Sequence, residues 1–173
     1  MKKAIATFAC IVLFYSCQNP NYQGTVVSGH PEATKVGVEI LKSGGNAIDA
    51  SVGVQLALAV CLPSAGNIGG GGVMVYRNYK GKNYALDFRE TAPLNAHEEM
   101  YLDNEGNIID SLSTYGTLSI GIPGTIDGIF KAHERFGSIN IKTLFNYAIK
   151  LAENGFAITE KQAGRLNNYQ NIF

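Results

Sequence analysis

The sequence predicts an α/β (α+β) fold in which helices are layered on a sheet, and three stretches predict it. Residues 47–62 are apolar on nearly every face, the pattern of a helix packed on all sides. Residues 73–79 and 83–88 flank Lys80-Gly81-Lys82 as the two arms of a hairpin. The first arm, Val73-Met74-Val75-Tyr76, lacks polar alternation, so both its faces are expected to be covered. From residue 125 onward three helical segments follow one another, the first two with apolar stripes. Strands covered by helices indicate a layered α/β sandwich.

The amino terminus reads as an export signal over residues 1–16. Lys2 and Lys3 precede an apolar stretch, residues 4–15, that falls short of the ~20 residues a bilayer-spanning helix needs. Ser16-Cys17 then resembles the cleavage site of a bacterial lipoprotein, in which Cys17 would carry the lipid; a plain signal peptide with an incidental cysteine is the alternative. Phe14 and Tyr15 are bulkier than the lipoprotein pattern prefers. The polar run Gln18-Asn19-Pro20-Asn21 suits a tether over residues 17–24. Localisation is therefore expected to be the bacterial periplasm or cell envelope, with membrane attachment only through that anchor. Of the three cysteines, Cys10 lies in the signal and Cys17 at its end. Cys61 is left without a partner in an apolar run, as a buried small hydrophobe would be.

A first strand is expected near Thr25-Val26-Val27. Pro31 suits the first turn of a helix whose stripe is Ala33, Val36, Ile40 and Leu41, stopped by Gly44-Gly45. Asn46 is a good cap for the next helix, with Asp49 placed to reach back to it. Small residues on that helix (Ala50, Gly53, Ala57, Ala59) allow a neighbour to approach closely. Thr125 is expected to cap a helix carrying Ile126, Ile129 and Phe130 on one face and ending at Gly137. A further helix spans about 142–154, with Leu144, Tyr147, Ala148 and Leu151 on its stripe. Thr159 and Gln162 form a capping box for a last helix, still running near the end of the chain as if cut inside a domain.

Several chemistries are excluded by composition and context. The 14 basic and 14 acidic side chains cancel, and no basic stripe suggests nucleic acid. The run Gly66-Asn67-Ile68-Gly69-Gly70-Gly71-Gly72 could make an anion nest, but a strand follows it and no Lys-Ser or Lys-Thr does, which favours close packing. His30, His97 and His133 lack metal-ligand spacing, the Asp103–Asn107 turn lacks the EF-hand glycine and glutamate, and neither a metal nor a cofactor is expected. Ser119 misses the nucleophile-elbow pattern by one position. Arg89, between Asp87 and Glu90, reads from local sequence as a surface ion-pair member. It is also a planar five-donor fork at a strand end, suited to a carboxylate.

Six stretches together resemble the amino-terminal part of the γ-glutamyltransferase (glutathione hydrolase) large subunit. They are Ser28-Gly29-His30-Pro31-Glu32-Ala33; Ile40-Leu41-Lys42-Ser43-Gly44-Gly45-Asn46-Ala47-Ile48-Asp49-Ala50; residues 66–72; Asp87-Phe88-Arg89-Glu90-Thr91-Ala92-Pro93; Gly121-Ile122-Pro123-Gly124; and residues 148–156. The resemblance implies that residues 25–173 are part of an αββα sandwich of the N-terminal-nucleophile hydrolase type. It implies that Arg89 grips the α-carboxylate of a γ-glutamyl group. It further implies a self-cleaving precursor whose small subunit begins with the nucleophilic threonine, that residue's α-amino group serving as base. Such an enzyme acts on glutathione and other γ-glutamyl compounds and passes the acyl group to water or an amino acid. No threonine here stands in the family's Thr-Thr-His-like element, so no catalytic residue is expected in this chain, and it is expected to be inactive without the carboxy-terminal part and small subunit. Two alternatives remain: a lipid-anchored binding or relic protein without catalysis, and a related amidohydrolase with a different acyl donor.

Overall fold

A computed structural model describes residues 24–170. The expected signal segment, Cys17 and the expected tether up to residue 23 lie outside the described residues. The fold class is α+β, as expected: one helical layer packed on a two-stranded sheet. The order is α1 (Pro31–Lys42), α2 (Ala47–Cys61), β1 (Val73–Arg77), β2 (Asn83–Asp87), a short 3-10 turn (Thr117–Ser119), α3 (Thr125–Phe136), α4 (Ile141–Asn154) and α5 (Glu160–Asn168).

The centre of the core is α2, which packs against α1, α3 and α4. Its N-terminus is fixed as the sequence predicts: Asn46 accepts from the N–H groups of Ile48 and Asp49, and the Asp49 carboxylate accepts from the N–H of Asn46. Ile40 of α1 lies directly over Gly53 of α2, where any side chain would collide with its Cδ1. Buried Ile48, Ala50, Val52, Leu56, Ala57 and Cys61 meet Ala33, Val36 and Ile40 of α1 and Leu144 and Ala148 of α4 in one cluster. The expectation of an α2 buried all round is corrected: Ala47 and Ser51 are exposed, and Val54, Gln55, Leu58 and Ala59 are half-buried. Three helices cover only part of a cylinder, residues 24–27 and Gly66 lie along further parts of it, and Ser51 and Gln55 line an open groove with Val73 and Val75.

The hairpin shows the same asymmetry. Its register pairs Met74 with Leu86 and Tyr76 with Tyr84, and these residues form the half-buried face toward the helices. Tyr76 and Tyr84 close on Phe136 at the end of α3, with ring centroids 4.9 and 4.7 Å from it. The other face carries Val73 and Val75 at 62% and 81% exposure, so the expectation that both faces are covered does not hold among the described residues. A run without polar alternation marks a strand suited to two layers, and one layer is present here. Residues 24–28 form no strand, contrary to expectation: no edge of the β1–β2 sheet lies beside them to supply backbone partners. Phe130, placed on the apolar face of α3 by its spacing, is 46% exposed and packs at a tilt against Phe145.

Two polar networks staple the helical layer. The first surrounds Asp49, whose side chain is fully buried. It accepts from Asn46 N–H (2.8 Å), Ser138 N–H (2.9 Å), Ser138 Oγ–H (2.5 Å) and Ile139 N–H (3.3 Å), tying the α3–α4 corner to the start of α2. Burial is the largest influence on its carboxyl and acts to raise it, but these donors together outweigh burial and hold it below the ordinary value of 3.8. The second joins α5 to the core. His30 caps α1, its Nδ1 accepting from Glu32 N–H at 3.2 Å, which leaves Nε2 to donate to Gln162 Oε1 at 3.0 Å. The Gln162 amide donates to the Cys61 carbonyl (2.5 Å), so one buried glutamine links three helices. The Thr159–Gln162 capping box is present as expected. Cys61 is fully buried, as expected for a small hydrophobe, and burial pushes its thiol up.

The Asp49 network makes stability fall in acid. A native value below the unfolded one, ~3.9 for a free aspartate, stabilises fully above that value. The contribution is lost as pH falls through the lowered native value. Asp49→Ala, which strands the buried N–H groups, should cost about 2–4 kcal/mol by denaturant midpoint near neutral pH. Asp49→Asn should flatten the acid limb of the stability–pH curve below roughly pH 4. An unaltered acid limb would remove Asp49 as its source.

Candidate functional site

Arg89 stands where three backbone segments cross. The β1–β2 ladder continues one step beyond the strands, with Phe88 N–H donating to Gly72 O (3.0 Å) and Gly72 N–H to Phe88 O (3.3 Å). The Phe88 ring then lies over Gly128 of α3, where an added Cβ would sit 2.7 Å from Phe88 Cβ. Past Arg89 the chain is caught again: Thr91 and Ile122 exchange hydrogen bonds of 3.2 and 2.8 Å as an isolated bridge. Arg89 is thus held by backbone pairing on both sides, and its own N–H donates to Asp87 Oδ1 at 3.0 Å.

The glycine run forms the floor of this crossing. A Cβ on Gly71 would fall 2.6 Å from Phe88 O, 2.7 Å from Glu90 N and 2.8 Å from Arg89 Cα, so only glycine lets the loop press against the segment bearing the arginine. From the other side Gly124 presses on the Phe88 carbonyl so closely that any side chain would collide with it. Gly70 O accepts from Gly124 N–H (2.8 Å) and Thr125 N–H (3.0 Å), which binds the loop to the start of α3. The sequence favours packing over an anion nest, and this arrangement is packing.

Thr125 differs from its expected role. Gly124 is the N-cap of α3 and contributes no side-chain hydrogen bond. Thr125 is the first helical residue, fully buried, and its hydroxyl donates to Asn67 Oδ1 at 2.7 Å. The same oxygen accepts from Gly70 N–H at 2.8 Å. Asn67 and Thr125 lie 58 positions apart, and no periodicity links them; the only local sign is an asparagine three residues before a glycine that it caps.

The Arg89 side chain is 69% exposed, and its Nε lies 3.3 Å from Glu90 Oε2. Such an exposed pair is worth about 0–1 kcal/mol. Among the described residues no acceptor engages either Nη, which leaves those donors of the fork without a protein partner.

The remaining polar candidates have structural partners. His30 caps α1, His133 Nε2 lies 2.6 Å from the Ile139 carbonyl oxygen, and His97 is exposed. Ser119 donates to the Gly116 carbonyl at 2.7 Å and meets no base. Asp103 accepts from Asn107 and Glu105 within its own turn, and the bonds from Asn107 hold its carboxyl below the usual range. Among the described residues no group of three or more His, Cys, Asp or Glu is placed to hold a metal ion, and no helix is long and apolar enough to cross a membrane.

Comparison with known proteins matches residues 33–173 to the family described as gamma-glutamyltranspeptidase. A glutathione hydrolase proenzyme of Pseudomonas sp. (strain A14) is 52% identical over 137 residues, 79% of this chain and 24% of its own length. Among solved structures, the gamma-glutamyltranspeptidase of Helicobacter pylori superposes with a TM-score of 0.83 at 47% identity, over 86% of this chain and 42% of that one. The gamma-glutamyltranspeptidase of Pseudomonas nitroreducens complexed with L-DON gives 0.82 at 43%, over 87% and 44%. The chain spans about a quarter of the length of the curated relatives it matches.

The crossing sets a steric test. Gly71→Ala should destabilise by about 1–3 kcal/mol, because two backbone segments must separate. Gly69→Ala, with nothing within 4 Å of the added methyl, should change stability by under ~0.5 kcal/mol. Thermal midpoints of the two variants measure the difference, and equal midpoints would remove the claim that the loop is clamped.

Proposed function

This chain belongs to the gamma-glutamyltranspeptidase family, and from that premise we propose that it forms the amino-terminal part of the large subunit of an enzyme that removes γ-glutamyl groups from glutathione and related amides. The observation that carries the reading is Arg89, held by backbone on both sides with no acceptor at its Nη groups among the described residues. In the complete enzyme Arg89 takes the α-carboxylate of the donor in a two-point grip, which fixes one end of the glutamyl group and orients its γ-carbonyl. The hydroxyl of an N-terminal threonine, supplied by the part of the protein beyond this chain, attacks that carbon. The threonine's own α-amino group accepts the proton and passes it to the leaving amine. Water or an amino acid then takes the acyl group from the threonine ester. The rest of the protein also supplies the groups that hold the donor's α-amino end and the oxyanion, and the covering for the open side of α2 and the outer face of β1. Residues 18–173 alone are expected to show no turnover.

Arg89→Ala in the complete protein should raise KM for a γ-glutamyl anilide about 30- to 150-fold, or ~2–3 kcal/mol, the range for charge-assisted hydrogen bonds. Arg89→Lys should recover only part of it, because an ammonium lacks the planar fork. Steady-state kinetics decide, and unchanged constants for Arg89→Ala would reject the role. The lipid anchor proposed at Cys17 predicts that Cys17→Ser moves the protein from the membrane to the soluble envelope fraction. Fractionation that finds both forms soluble would leave a plain secreted protein.

A further inference from the structure

We propose that Asn67, through its bond to Thr125, is a positioning residue that sets the register of Arg89 and so tunes recognition of the donor's α-carboxylate; this rests on the Arg89 reading. Asn67 Oδ1 is a two-donor junction, accepting from Gly70 N–H (2.8 Å) and from the fully buried Thr125 hydroxyl (2.7 Å). Through Gly70 O, bonded to Gly124 and Thr125 N–H, the same junction fixes the glycine loop on the first residues of α3. That loop is the surface against which Arg89 Cα lies, and Gly124 is the surface against which the Phe88 carbonyl lies. Asn67 Nδ2–H donates to Ala65 O at 3.3 Å, so the carboxamide is oriented from its own end of the loop as well.

Beyond the Asn67 carboxamide and the buried Thr125 hydroxyl, every link to Arg89 is a short backbone approach. A shift of the loop therefore moves the arginine rather than being absorbed on the way. Arg89 itself gives the crossing little: its guanidinium is exposed, and only Nε has a partner. Removing the junction should displace the guanidinium while leaving the nucleophile, which lies outside this chain, in place. Binding of the carboxylate should suffer and the chemical step should not.

The test compares two anilide donors in the complete protein, the γ-glutamyl anilide and the 4-aminobutyryl anilide, which differ only in the α-carboxylate. The ratio of kcat/KM values reports carboxylate recognition. Asn67→Ala should lower that ratio about tenfold, through KM for the glutamyl donor, with kcat within about twofold of the parent. Thr125→Val, nearly isosteric at a buried site, should reproduce the effect if the alanine variant folds poorly. Asn67→Asp and Thr125→Ser, which keep the acceptor oxygen and the hydroxyl, should restore most of the ratio. Equal losses for both donors in Asn67→Ala and Thr125→Val would make the junction merely structural and overturn the proposal. Arg89→Ala separates this failure from that of the parent reading: a ratio unchanged by removing the arginine sinks both, whereas a ratio lowered by Arg89→Ala alone sinks only the role of Asn67.

Discussion

Backbone meeting backbone at distances that exclude a Cβ is the constraint on which the arrangement around Arg89 depends. Gly71 presses on Arg89 Cα, Gly124 on the Phe88 carbonyl, and Gly128 receives the Phe88 ring. A charged side chain held by backbone on both flanks keeps its Cα in place without any packing of its own. Its guanidinium stays largely in water. Long side chains lose up to about 2 kcal/mol of rotamer freedom when ordered, so fixing the Cα beforehand limits the ordering left for binding to the outer torsions.

The helical layer explains why the crossing does not drift. Helix α3 carries Thr125 and Gly128 and is capped by Gly124, and its far end is held by two independent devices. Phe136 packs between Tyr76 and Tyr84 of the hairpin, and the turn after it donates Ser138 and Ile139 to Asp49. Asp49 sits in the first turn of α2, the helix that contacts α1, α3 and α4. The carboxylate therefore works as a joint between the helix that organises the core and the helix that positions the crossing. Its lowered pKa keeps that joint intact through the neutral range.

Much of this was legible in the residues. Asn46 with Asp49 and Thr159 with Gln162 announced two capping boxes by their spacing, and both are present. Lys80-Gly81-Lys82 placed the hairpin turn, and Gly137 the end of α3. What misled was the assumption that apolar surface is covered by the same stretch of chain. The all-apolar α2, the unalternating β1 and the strand expected at residues 25–27 each describe an environment with more layers than the described residues supply. Links across long separations were not legible. Gln162 reaches His30 across 132 positions and Asn67 reaches Thr125 across 58, and neither leaves a periodic trace. Thr125 misled in its own way: a threonine after Gly-Ile-Pro-Gly reads as a cap, but Gly124 takes that place and frees the hydroxyl for the glycine loop.

The exposure of Arg89 bears on how a site of this kind gains its strength. In water a guanidinium and a carboxylate 4 Å apart attract by about 1 kcal/mol, and at an effective dielectric near 20 by about 4. With most of its side chain in solvent and Glu90 at its Nε, Arg89 in these residues stands near the first limit. The 2–3 kcal/mol expected of a charge-assisted grip belongs nearer the second, which requires walls that exclude water. The open side of α2 and the bare outer face of β1, with Val75 at 81% exposure, are where such walls have surface to pack on. On the role proposed for Arg89, recognition of a donor's acid end and covering of the hairpin's outer face would be physically coupled. A layer packed over the valines would, on that role, also lower the dielectric in which the guanidinium meets its carboxylate.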